Sequence, residues 1–171
     1  MNILMIVLRI IHFIFGAVWV GGSILMVTAI SPTAVQLGED AKSFMQHFTL
    51  KSKFAPLMFS ASTLTVLSGL WMYTENFGFE INMTTGSALA LSLGGLGGLA
   101  GWLGAFLYII RSLNGIKSVA GEITAAGGPP KPEQLEKIAG LQGKIAAASP
   151  IITVLLVLTL ALMSMGEYFA L

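Results

Sequence analysis

The chain has no cysteine at all. Disulfide frameworks, cysteine-ligated zinc, iron-sulfur clusters and thiol nucleophiles are therefore excluded, and the redox compartment cannot be read from it. Charge is almost as scarce: Asp, Glu, Lys and Arg make up 10% of the 171 residues and leave a net charge of +1. The few basic residues fall in short connections rather than on one face, so nothing marks a surface for nucleic acid. Histidine occurs twice, at positions 12 and 47. With no Ser-His-Asp set, no HExxH and no paired carboxylates inside an apolar segment, hydrolytic chemistry has no residues to run on.

What fills the chain instead is apolar. Hydrophobic residues account for 55% of it, and the mean hydropathy of +0.84 lies far above that of a soluble domain. An all-α integral membrane protein follows, with the lipid bilayer as its first partner. A bilayer core needs about 20 apolar residues per helix. Four segments qualify, at 3–30, 54–74, 85–110 and 150–169, and together they predict a single four-helix bundle domain over 1–171. The first is too long for a signal peptide and lacks a basic leader and a small-x-small cleavage site, so it reads as a retained helix. Ser31-Pro32 is expected to stop the first span. Pro56 belongs in the first turn of the second, and Ser149-Pro150 reads as an N-cap followed by proline at N1.

Lys42, Lys51 and Lys53 lie between spans one and two; Arg111, Lys117, Lys131, Lys137 and Lys144 lie between spans three and four. The connection between spans two and three has Glu75 and Glu80 and no base. Short cytoplasmic loops retain Lys and Arg, which puts both termini outside. The long connection carries apolar residues at three-and-four spacing on either side of Gly127-Gly-Pro-Pro130, so spans three and four are expected to extend into the cytoplasm as a helical hairpin. Ala41, Phe44, Met45 and Phe48 form an apolar stripe, and a short amphipathic helix, leading into span two or lying in the interface, is expected there.

An ionisable side chain inside a membrane segment is costly and is a functional candidate by default. His12 is that residue. Gly16, Trp19, Ser23 and Met26 share its helix face, which is expected to look into the bundle with Leu8, Ile14, Val18 and Leu25 opposite. His12 lies about 12 Å below the outer boundary, eight residues at the helical rise. A neutral imidazole there can ligate a metal, relay a proton or hydrogen-bond as a packing residue. His47 precedes span two at the opposite boundary, so one haem cannot bridge both histidines. A second axial ligand at the depth of His12 would have to be Met163 or Met72, or be missing. Met163-Ser-Met165 resembles a copper-type Met-x-Met, but on a helix residues two apart point about 200° apart. Copper handling therefore stays an alternative to haem.

Arg9 and Glu167 share a depth near the outer face and could pair, or Arg9 could snorkel to headgroups. Trp71 suits the outer aromatic belt, whereas Trp19 and Trp102 are expected to line the interior. Small residues at Gly94, Gly97 or Gly98, Gly101 and Gly104 recur at helical spacing, which permits close helix packing or room for a flat cofactor.

The pattern Arg9-x-x-His12-x-x-x-Gly16-x-x-Trp19-x-Gly21-Gly22 resembles the opening helix of the CopD-like group of bacterial membrane proteins. That group takes in copper-resistance proteins, a protoporphyrinogen oxidase and the membrane domain of a urate oxidase. The resemblance extends to Leu67-Ser-Gly69-Leu-Trp71 and from Pro132-Glu-Gln-Leu135 through the final helix with Met163. It implies a four-helix bundle in the bacterial inner membrane, with His12 as a haem or metal ligand. The third span has no ionisable residue before Arg111, where the oxidase members carry a lysine, and no chain of Met and His crosses the membrane for copper. The function expected is binding of haem b or a related tetrapyrrole through His12, with Gly16, Trp19 and Met163 around it, for electron transfer or porphyrin handling. A non-catalytic subunit of a membrane complex, or of a homo-oligomer, is the second expectation.

Overall fold

The computed structural model describes residues 3–78, 81 and 85–169, apart from the side chains of residues 167 and 169. Glu80 and the side chain of Glu167 lie outside that description, and so does any pairing of Arg9 with Glu167. The described residues form helices and the short joints between them, with no strand. Four helical runs are long and apolar enough to cross a membrane: Ile3–Lys51, Phe54–Phe77, Gly86–Ala126 and Pro132–Met165.

The first run comprises α1 (Ile3–Leu25), a π-turn at Met26–Ile30, α2 (Ser31–Leu37), a 3-10 turn at Gly38–Ala41 and α3 (Lys42–Lys51). Pro32 does not stop it. Proline lacks an N–H and its ring collides with the carbonyl four residues back in a regular helix. Here the coil widens into the π-turn just before it, and the Ser31 N–H reaches back to the Met26 carbonyl. The helix breaks instead at Gly38, whose φ of +55° suits a residue without a Cβ. The short helix expected after Glu39-Asp40 is α3, with Phe44 stacked on Phe48 at 5.8 Å.

The second run, α4 (Phe54–Phe77), starts with Phe54 N–H donating to Ser52 Oγ at 3.3 Å and has Pro56 in its first turn. It stops at Gly78, φ +69°. The third comprises α5 (Gly86–Gly104), a π-turn at Ala105–Ile110 and α6 (Arg111–Ala126). Thr85 caps it, its hydroxyl accepting from the Ala88 N–H at 3.2 Å. Gly127 closes α6 in the left-handed conformation at φ +65°.

The last helix, α7 (Pro132–Met165), is unbroken over 34 residues. Ser149-Pro150 is therefore not its N-terminus. Pro150 sits inside the helix, and the Ser149 hydroxyl donates to the Ile145 carbonyl at 2.7 Å instead of capping anything. The sequence signal for a helix start was present, but the packing against α5 and α6 carries the helix straight through it. At 1.5 Å per residue α7 is about 51 Å long, well beyond a hydrocarbon core of about 30 Å.

The helices associate as two antiparallel pairs, α1 with α4 and α5 with α7. In the second pair the glycine stripe is the contact surface. Added Cβ atoms at Gly94, Gly97, Gly101 and Gly104 would meet Met163, Thr159, Leu156 and Ile152 respectively, and Gly115 on α6 meets Leu141 in the same register. The pairs join through a core of Trp19, Val20, Ala61, Ile152 and Leu156. Trp102 Nε1–H donates to Thr63 Oγ1 at 3.2 Å, and Tyr73 Oη lies 2.7 Å from Ser92 Oγ, two further links between α4 and α5. The outside is greasy: Phe13 and Ile3 are 75% exposed and Ile151 71%. Such a surface is stable only against lipid or another apolar body.

Candidate functional site

Span one brings His12 against span two, not into an open interior. A carbonyl can only accept, so His12 Nδ1 carries the proton that it donates to the Thr65 carbonyl at 2.8 Å. Ser68 Oγ stands 3.5 Å from the same nitrogen, while donating its own proton to the Leu64 carbonyl at 2.6 Å. The ring lies on Gly69: a Cβ there would stand 2.7 Å from His12 Cε1 and 3.0 Å from Nδ1. Only glycine leaves room for the imidazole to come that close to the α4 backbone. The tautomer is fixed as a result, and Nε2 keeps a lone pair with no hydrogen-bond partner among the described residues.

The seat depends on a polar stripe in α4. Ser62, Thr65 and Ser68 are buried, and each hydroxyl returns to its own helix, to the carbonyls of Phe59, Ala61 and Leu64 at 2.9, 2.8 and 2.6 Å. Buried hydroxyls in an apolar bundle are costly unless paired, and back-bonding to the preceding turn satisfies them. It also leaves the Thr65 carbonyl able to accept the imidazole proton. Gly69 appears in the sequence pattern, but its role as the seat does not, and Thr65 and Ser68 went unnoticed. Their spacing of three along span two is the signal that could have found them.

The other candidate residues lie around this seam or apart from it. Gly16 faces Thr65, with an added Cβ 3.5 Å from Thr65 Cγ2. Trp19 is 4% exposed in the core that joins the two helix pairs. Both contacts are packing contacts that hold α1 on α4. Met163 leans on Gly94 of α5, where a Cβ would stand 2.8 Å from its Cγ. The bundle-facing stripe is as expected, except that Leu8 is buried and Val18 half-buried. Leu8 precedes His12 by one turn and so falls on the same face. Ile14 and Leu25, each about half exposed, do point outward. Arg9 is exposed, as is His47 on α3, beyond the far end of the span that carries His12.

Trp71 is half exposed, its Nε1–H donating to Glu75 Oε1 at 3.4 Å, while Trp102 is half-buried and stacked on Phe106 at 6.2 Å. Among the described residues no group of three or more His, Asp or Glu side chains could enclose a metal ion. A bare zinc ion is held by three or four protein donors. A single imidazole suffices only where the other ligands come with the metal, as the four pyrrole nitrogens do in haem.

Fold and seam together define an all-helical protein with four apolar helices fit to cross a membrane and one anchored histidine between the first two. Comparison with family models, with curated proteins and with solved structures returned no match.

Proposed function

We propose that the chain is a bacterial inner-membrane protein that binds haem b or a related tetrapyrrole through His12 Nε2. The observation that carries this reading is the Nδ1–H bond from His12 to the Thr65 carbonyl. Metal-binding histidines characteristically donate their second nitrogen to a carbonyl or carboxylate, which fixes the tautomer, orients the ring and makes the free nitrogen more basic. Among the described residues no three His, Asp or Glu side chains gather at one point, and a lone imidazole suits a metal that brings its own macrocyclic ligands. When bound, haem supplies one-electron chemistry. This chain's own share is to hold and aim the imidazole: Gly69 admits it, Thr65 orients it, and Gly16 and Trp19 fix the helix that carries it. Met163 is engaged with Gly94, so the reading rests on His12 as the protein donor.

By the distribution of Lys and Arg, both termini face outward and the ends of α6 and α7 project into the cytoplasm as a hairpin. A partner in a membrane complex would meet the protein there.

The test is an absorption spectrum of the purified protein, oxidised and after dithionite. A Soret band is expected, either as isolated or after reconstitution with haem. It should disappear in His12→Gly and return when imidazole is added. No band in the reconstituted protein, or an unchanged band in His12→Gly, overturns the proposal.

A further inference from the structure

A second site stands out nearer the start of α4 than the seat of His12. Where span two begins and span three ends, Ala55, Pro56 and Phe59 of α4 face Ile110, Leu113, Asn114 and Lys117 across an open crevice of about 160 Å³. Its two ends differ in chemistry, and the helix directions explain why. Helix α4 enters the membrane from Phe54, so Phe59 lies deeper than Ala55. The third run leaves the membrane on the same side, so Ile110 lies deeper than Lys117. The deep end is therefore purely apolar, closed by Phe59, which packs on Phe106 with ring centroids 6.4 Å apart. The shallow end carries an amide and an ammonium.

Lys117 is half-buried, and its ammonium has no ion pair or hydrogen bond among the described residues, where the one salt bridge joins Lys42 to Glu39. Neither α4 nor α6 has an acidic residue in its first turn. Lys53, just ahead of α4, and Arg111, opening α6, are both exposed. A narrow apolar slot with an uncompensated cationic mouth at the edge of a membrane span matches one kind of molecule at both ends.

We propose that this crevice binds an anionic phospholipid, with the start of an acyl chain against Phe59 and Ile110 and the headgroup phosphate on Lys117. A basic residue near the membrane surface attracts an anionic headgroup by about 1 kcal/mol, so the single charge is worth about fivefold in affinity. The slot is too small for a folded partner, and a soluble anion would leave its apolar end unfilled.

The experiment uses the full chain, purified in detergent and stripped of lipid, and reads bound lipid by native mass spectrometry and the melting temperature. Dioleoylphosphatidylglycerol should bind and raise the melting temperature, and dioleoylphosphatidylcholine should do so less. Lys117→Gln should weaken phosphatidylglycerol binding about fivefold, Lys117→Arg should keep it, and Lys137→Gln, on the exposed face of α7, should leave it unchanged. Equal binding of the two lipids, wild-type binding by Lys117→Gln, or an equal shift in melting temperature from inorganic phosphate alone would each overturn the proposal.

Discussion

The single hydrogen that glycine has in place of a side chain decides the candidate site. His12 can reach the Thr65 carbonyl because nothing projects from Gly69, where a Cβ would come within 2.7 Å of the ring. Gly69→Ala should therefore push the imidazole off its seat or pry α1 from α4. We expect it to cost about 1–3 kcal/mol, the usual penalty for overpacking a tight contact, as measured by unfolding in detergent. In a His47→Gln background, the nitrogen shifts of labelled His12 should show the Nδ1–H tautomer, and Gly69→Ala should scramble it. An Nε2–H tautomer in the unmutated seat would contradict the hydrogen bond on which the site is built. At this scale the sequence was half legible. It singled out His12 as the ionisable residue in an apolar segment, but the acceptor is a backbone oxygen 53 positions away, and no side-chain pattern reveals a backbone oxygen.

At the scale of elements, the glycine stripe of α5 makes a sharper case. Gly97 sits directly against the Thr159 hydroxyl, which is buried and has no hydrogen-bond partner among the described residues. That oxygen is left facing the glycine backbone, the kind of close helix approach at which weak Cα–H···O contacts form. Gly95, two residues earlier, has nothing within 4 Å of an added Cβ. Gly97→Ala should lower the melting temperature of the purified protein, whereas Gly95→Ala should leave it level or raise it, because alanine favours a helix by about 1 kcal/mol over glycine. Equal effects at the two positions would mean that α5 does not meet α7 along this stripe. The sequence pointed to close packing here because small residues recurred at helical spacing. It misjudged Pro32 and Pro150. Proline punctuation is a local statistic, and a π-turn on one side and continuous packing on the other outweigh it.

For the whole molecule, orientation is the open physical question with a direct answer. The chain is free of cysteine, so single introduced cysteines report cleanly. Asn76→Cys, just inside the end of α4, should react with a membrane-impermeant maleimide in intact cells, and Ala126→Cys, at the tip of α6, should react only after the membrane is opened. The reverse pattern would invert the protein and move the lysine-rich connections outside, against the usual bias of basic residues.

The sequence by itself determined the number of helices long and apolar enough to cross a membrane and where the first three of them begin. A bilayer demands about 20 apolar residues per crossing, and that demand is met or failed locally, segment by segment. Only the tertiary structure decided which helices pair, which glycines are contacts and which stand open, and which nitrogen of His12 is free. Those outcomes depend on surfaces brought together from distant parts of the chain, and inside an apolar bundle close packing and hydrogen bonding select among them where hydropathy cannot.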